Sequence, residues 1–278
     1  MRIGELAKQI TPPFIWSAGK RLVRRRQGAT DESIPRPEWR TVHAGVIAGC
    51  QMLLDTTSNF ARLITEGNYE PILTQWLVSH VQPEMVCYDL GGHVGYFTCV
   101  MAKLAHKGHV HVCEPFEGNV ATIEAIVAKN GLGNVTVHRC AVSDTNGVVA
   151  LRGPVDRTGS GPSSMSYLVR GGGVQTLSAE RTYPLFREYS VESRTLDKVS
   201  DAVPDLLKID VEGAEAMVVA GAQAWMDRGH TPLFAIETHG VQEALACTAF
   251  FMRNGYRYEV LETAKPRPAV VWYKKSDG

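Results

Sequence analysis

Residues 86–95 read Val-Cys-Tyr-Asp-Leu-Gly-Gly-His-Val-Gly. An apolar run ends in an acid and then breaks into glycines, the pattern of a buried parallel strand that turns directly into a helix. The run 85–88 supplies the strand, and Val94, Phe97, Val100, Met101 and Leu104, three and four apart, supply the helix. Glycines between such elements let the backbone turn tightly and approach a ligand, toward which the free N–H groups of the new helix point. Asp89 and the turn Gly91, Gly92, His93 and Gly95 therefore read as the floor of a nucleotide-shaped pocket. Downstream, residues 109–113 alternate and end at Glu114, where a second strand of this arrangement presents a carboxylate to ribose hydroxyls.

The chain around this stretch is long enough for a full core. It has 278 residues, 44% apolar, with a formal net charge of zero. That balance argues against a general nucleic-acid binder, which carries a basic excess over its domain. The six cysteines include no Cys-x-x-Cys pair, so neither a disulfide framework nor a zinc site is indicated, and buried reduced thiols in the cytoplasm are expected. No apolar run approaches the ~20 residues of a membrane span. Residues 1–40 nevertheless hold nine Lys or Arg against four acids. With Phe14, Ile15 and Trp16 ahead of the basic run 20–26, residues 12–26 fit either a peripheral contact with the inner, anionic membrane face or a solvated basic face. Pro35 and Pro37 mark a boundary, so a basic N-terminal appendage over 1–40, read as helical, precedes a main domain over 41–278.

Within the main domain, residues 39–64 fit helix or a short hairpin over the sheet, and 70–80 fit a helix with Pro71 in its first turn. A helix over 117–129 and a third strand over 135–142 follow. Strands alternating with helices at this spacing mean parallel βαβ units with right-handed crossovers, hence an α/β, doubly wound sheet. Residues 152–192 break the rhythm with glycines and serines and read as a mobile lid over a substrate. Strands at 204–211 and 232–237, helices at 214–227 and 241–254, and a terminal pair at 256–261 and 269–273 with at least one antiparallel strand complete the sheet.

In such a sheet the ligand crevice lies beyond the carboxyl ends of the strands, where strand order reverses. The polar residues there are Asp89, Glu114, Ser143 and Asp144, and the alternating Lys208, Asp210 and Glu212, followed by Glu215. Charges in a central strand must meet one another, a ligand or a metal. Glu237 and His239 end the next strand and should share an edge with Asp210.

Asp-Leu-Gly-Gly-His-Val-Gly (89–95), Glu114-Pro115 with Asn119, Ala-Val-Ser-Asp (141–144), Thr-Leu-Asp (195–197), Lys-Ile-Asp-Val-Glu-Gly-Ala-Glu (208–215) and Tyr69-Glu70 together resemble the FkbM family of S-adenosylmethionine-dependent methyltransferases. His93 departs from the pattern, which more often has asparagine. The resemblance implies the class I methyltransferase fold, Rossmann-like with seven mostly parallel strands, and O-methylation of a sugar, glycan or natural product. It further implies that Glu70 is cofactor-binding, that Asp89 and the turn Gly91, Gly92, His93, Gly95 hold the methionine end of the cofactor, Glu114 the ribose, and Phe116, Val142 and Ser143 the adenine. A sugar hydroxyl is a poor nucleophile at neutral pH. It needs a base such as His239, or a divalent cation such as Mg²⁺ on Asp210 and Glu237, and Asp210, Glu237 and His239 are the catalytic candidates under either reading. A nicotinamide-dependent oxidoreductase would also use a strand-glycine-helix turn, but the Gly-x-Gly-x-x-Gly spacing is absent. A binding module without catalysis is the remaining alternative, and homo-oligomerisation stays open.

Overall fold

The structure, a computed structural model, describes residues 37–56, 59–154, 167–168, 186–261 and 269–273. Residues 1–36 of the basic appendage, with the apolar segment 12–16 and the basic run 20–26, lie outside the described residues, and residues 37–40 enter the first strand. The fold opens with an antiparallel hairpin, β1 (Pro37–Thr41) and β2 (Gln51–Asp55), followed by helix α1 (Asn59–Thr65). Both readings of residues 39–64 are thus present in turn. Helix α2 (Pro71–His80) starts with Pro71 at its first position, where the missing N–H costs nothing.

The decisive stretch forms β3 (Val86–Leu90) and α3 (Tyr96–Leu104), joined through Gly95 in the left-handed conformation at the helix N-cap. Strand β4 (His109–Cys113), helix α4 (Glu117–Lys129) and β5 (Val135–His138) complete the first parallel half. Glu117 in the first turn of α4 and Lys129 in its last complement the helix dipole.

At Arg139 the chain departs from expectation. The run 135–142 is not one strand: after β5 it changes sheets, and β6 (Ala141–Val142) joins a separate four-stranded sheet with β7 (Gly147–Pro154), β8 (Tyr167–Leu168) and β9 (Phe186–Arg194). Arg139, at the change, pairs with Glu117 and Glu124 on the surface of α4. The described parts of the 152–192 insertion are strands of this sheet, and the lid expectation for the remainder falls outside the described residues.

The second half runs β10 (Leu206–Ile209), α5 (Glu215–Ala220), α6 (Gln223–Met226), β11 (Leu233–Glu237), α7 (Val241–Arg253), β12 (Arg257–Val260) and β13 (Ala269–Tyr273). The helix expected over 214–227 is broken between α5 and α6, where Gly221 packs so close that a Cβ would sit 3.2 Å from Val218 O and 3.5 Å from Leu196. The main sheet has seven strands in the order β5-β4-β3-β10-β11-β13-β12. Counting only these strands along the chain, the order is 3-2-1-4-5-7-6, and β13 is antiparallel to both neighbours. This is the class I methyltransferase sheet, and its order reverses between β3 and β10.

Each face of the sheet carries its own apolar core. Met52, Leu54, Ile64, Leu77 and Val100 bring the hairpin, α1, α2 and α3 onto one face. Val218, Trp225 and Phe251 bring α5, α6 and α7 onto the other. Leu90, Val112 and Ile209 are fully buried, as strands covered on both sides require. All six cysteines are buried and free of disulfides. Among the described residues, no helix is long and apolar enough to cross a membrane.

Candidate functional site

A cavity opens over the carboxyl ends of β3, β4, β10 and β11, at the reversal of strand order. Gly91 and His93 line it from β3, Glu114 from β4, Asp210 and Glu212 from β10, and Glu237 and His239 from β11. The second sheet contributes Val142 and Leu151, and Phe60, Tyr69 and Glu70 come from the segment around α1 and α2. Among the described residues, three non-glycine residues have positive φ, Glu70 (43°), His93 (50°) and Glu212 (53°), and all three are on this wall. Left-handed backbone at a side-chain-bearing residue costs of order 1 kcal/mol or more and gathers where geometry serves a ligand.

Glu114 is 5% exposed. His93 N donates to its Oε2 and Phe116 N to its Oε1, each at 2.9 Å. Burial raises its pKa to about 7 although these backbone donors pull it down. Asn119 comes near enough to lower that pKa as well, but its buried Nδ2 makes no hydrogen bond of good geometry. The imidazole of His93 packs against Phe60 at 5.6 Å between ring centroids, and burial lowers its pKa to about 4, so it is neutral at pH 7.

Several expected cofactor residues lie behind this wall. Asp89 is fully buried, accepts from Thr98 Oγ1 at 2.6 Å and pairs with Lys208 Nζ at 3.3 Å. Lys208 Nζ also donates to Gly91 O at 3.0 Å, so the aspartate braces the turn through a buried lysine. Gly92 and Gly95 shape the turn without lining the cavity: a Cβ at Gly92 would meet Val112 Cγ2 at 2.4 Å. Phe116 gives its backbone N–H to Glu114 and turns its ring edge-to-face onto Tyr189 at 5.5 Å. Ser143 is buried, with its Oγ 2.7 Å from Ser193 Oγ, and ties β6 to β9. Of the residues expected at the adenine, only Val142 reaches the cavity.

At the opposite end the structure gathers the three residues expected to carry chemistry and adds two. The His239 side chain is 2% exposed. Its Nδ1 donates to Oε1 of the fully buried Glu215 at 2.9 Å, which fixes the ring. Its Nε2 then faces Glu212 Oε2 at 3.3 Å, Asp210 Oδ1 at 3.6 Å and Glu237 Oε1 at 3.9 Å. Burial alone would lower the His239 pKa, but the Glu215 hydrogen bond and the Glu212, Glu215 and Asp210 charges outweigh it and raise it to about 9. Glu215 Oε1 also accepts from Gly213 N at 3.0 Å, so a side chain that sequence reads as a helix-start acid orients the histidine instead. The alternation in residues 208–212 signals Glu212, whereas nothing local ties Glu215 to a residue 24 positions on. Phe60 and Asn119 likewise join the wall through tertiary packing.

The Methyltransferase FkbM domain matches residues 89–258, more than half of the chain. The chain belongs to the FkbM methyltransferase family. The matched span holds Glu114, Asp210, Glu212, Glu215, Glu237 and His239, so both ends of the cavity fall within the FkbM domain. Over 204 residues the chain is 28% identical to the 31-O-demethyl-FK506 methyltransferase FkbM of Streptomyces tacrolimicus, covering 67% of this chain and 77% of that protein. It is 24% identical over 144 residues to Methyltransferase 1 of Beauveria bassiana, covering 48% of this chain and 56% of that protein. A crystallised FkbM methyltransferase from Methylobacillus flagellatus KT superposes with a TM-score of 0.49 at 17% identity, over 69% of this chain and 44% of that one. The chain thus spans about half the length of the Beauveria and Methylobacillus proteins.

Proposed function

We propose that the chain is an S-adenosylmethionine-dependent O-methyltransferase that acts on a hydroxyl of a sugar, a glycan or a natural product. The observation that carries this reading is one cavity with a buried carboxylate, Glu114, at one end and an Asp210–Glu212–His239 cluster at the other. The wall fits such a cofactor. Each Glu114 oxygen accepts one backbone N–H and keeps a further lone pair for a ribose diol, and Asn119 Nδ2 is a buried donor in need of an acceptor. The name of the Streptomyces relative, a 31-O-demethyl-FK506 methyltransferase, supports an oxygen acceptor.

When bound, the cofactor would supply an activated methyl group: the S–C bond would break as the O–C bond forms, leaving a neutral thioether, and the hydroxyl proton would pass to a carboxylate that faces the acceptor, Asp210 or Glu237. The residues of the chain bind and orient. Glu114 holds the ribose, the backbone of Gly91 and His93 with Glu70 frames the amino-acid end, and Val142 covers the base. Asp210, Glu237 and His239 face the acceptor, which must be aligned with the methyl group and shielded from water, effects worth up to several kcal/mol each.

Calorimetry tests the reading. The protein should bind S-adenosylmethionine and S-adenosylhomocysteine but not NAD, and Glu114→Ala should weaken binding by roughly 1–3 kcal/mol, the scale of losing charge-assisted hydrogen bonds. Tight NAD binding, or full cofactor affinity in Glu114→Ala, would overturn it. A screen of nucleotide sugars, glycans and lipid-linked sugars with labelled cofactor then identifies the acceptor.

A further inference from the structure

We infer that Asp210, Glu212 and His239 bind one divalent cation of the Mg²⁺ or Mn²⁺ class, with open coordination positions facing the cavity. The role of that cation toward an acceptor hydroxyl rests on the methyl-transfer reading above, while the cation site itself does not.

One donor atom from each of these three residues lies within 4.8 Å of the others, the sole such group of His, Cys, Asp or Glu among the described residues. In an octahedral site with bonds of about 2.1 Å, neighbouring donors stand about 3 Å apart. The spacings of 3.3 and 3.6 Å from His239 Nε2 to the two carboxylates need only small side-chain adjustments to meet that figure. The histidine orients the set. Its side chain is 98% buried, Nδ1 is spent on Glu215, and Nε2 aims into the cluster, where it pairs with Glu212 and Asp210 and would give up its proton to a cation that takes that place. A ligating imidazole held by a carboxylate through its other nitrogen is the usual outer support of a metal site, and Glu215, fully buried, supplies it.

The donor chemistry names the ion class. Two carboxylates suit hard cations, one imidazole is tolerated by Mn²⁺, and the absence of sulfur from the set argues against a soft metal. Glu237 is the outlier. It stands 3.9 Å from Nε2 and outside the three-residue group, so the ligand pair expected from sequence, Asp210 with Glu237, is replaced by Asp210 with Glu212. Three protein donors leave room for oxygens from the cavity. A hydroxyl bound there would have its pKa lowered, which meets the need left open for a neutral sugar hydroxyl.

The test uses the full chain, stripped with chelator and titrated with Mn²⁺ alone, with free Mn²⁺ read by electron paramagnetic resonance. One Mn²⁺ per chain should bind, Mg²⁺ should displace it, and bound Mn²⁺ should enhance water proton relaxation because coordination positions stay open. Asp210→Asn, Glu212→Gln and His239→Gln should each weaken Mn²⁺ by at least about tenfold while still binding S-adenosylmethionine, and Glu237→Gln should stay within about threefold. Wild-type protein that binds the cofactor but no Mn²⁺ overturns the site, whether or not the variants fold. So does Mn²⁺ binding indifferent to all three substitutions, or one lost only in Glu237→Gln. Mn²⁺ binding in a protein that fails to bind S-adenosylmethionine supports this site and overturns the function proposed above.

Discussion

Glu114 ionises against its surroundings. Burial lifts its pKa from an ordinary 4.5 to about 7, so the folded protein holds this proton more tightly than the unfolded chain does. A raised carboxyl pKa contributes stability that is full below 4.5 and is lost as pH rises through about 7. The loss is at most ~3 kcal/mol, and Glu114→Gln removes it. Urea denaturation of both proteins at pH 4.5 and 7.5 should show wild type losing stability relative to Glu114→Gln across that interval, and parallel curves would refute the assignment. Cofactor affinity should tighten over the same window in wild type alone, because the ionised carboxylate is the stronger acceptor for a ribose diol. At this scale the sequence was legible where a side chain declares itself by strand-end position, as Glu114, Asp210, Glu237 and His239 do. It was mute where role depends on a distant partner: Asp89 and Ser143 have the right positions but spend their polar atoms on Lys208 and Ser193.

Among the elements, the turn between β3 and α3 is fitted under the end of β10. Gly91 has φ +84°, and a Cβ there would lie 1.9 Å from Asp210 O, a backbone atom that cannot yield cheaply. Gly91→Ala should therefore cost about 2 kcal/mol or more in chemical denaturation. It should also weaken Mn²⁺ binding by shifting Asp210. Gly131 is the internal comparison. It too has positive φ (+61°), but nothing lies within 4 Å of an added Cβ, so Gly131→Ala should cost only about 1 kcal/mol. Equal costs at the two glycines would mean that close packing at Gly91 is unimportant. That residues 90–95 turn was readable from the glycines, whereas what they turn against was not, because the contact is with a residue far along the chain. The same limit explains the strand read across 135–142. Its alternation carries no local stop, and the change of sheets after β5 rests on the pairing of β6 with β9, about 50 residues on. The second sheet could not be foreseen, since a Gly/Ser-rich stretch looks alike whether or not it pairs.

At the scale of the whole molecule, the cavity joins strand ends from both halves of the sheet, β3 and β4 on one side of the reversal and β10 and β11 on the other. A ligand bound there is lost when either half unfolds, so it should stabilise the whole fold against unfolding by about 2.7 kcal/mol at a hundredfold excess over Kd. Thermal melts against S-adenosylmethionine concentration check this: a single transition should shift upward, and a split into a shifted and an unshifted transition would show the halves to be independent. The architecture as a whole was legible, because alternating strands and helices with right-handed crossovers leave few arrangements and the antiparallel end was readable in the final two strands. The three left-handed residues around the cavity mouth carry a lesson for anyone who would improve this protein. Glycine adopts that backbone freely, so a library screened for heat resistance alone should accumulate glycine at whichever of positions 70, 93 and 212 relieves more strain, of order 1 kcal/mol, than it loses in side-chain contacts. Position 212 would surrender a carboxylate beside His239, and position 93 the imidazole against Phe60. Selection blind to turnover would thus drift toward a sturdier chain with an emptied mouth, and sequencing the survivors at those three codons would reveal it.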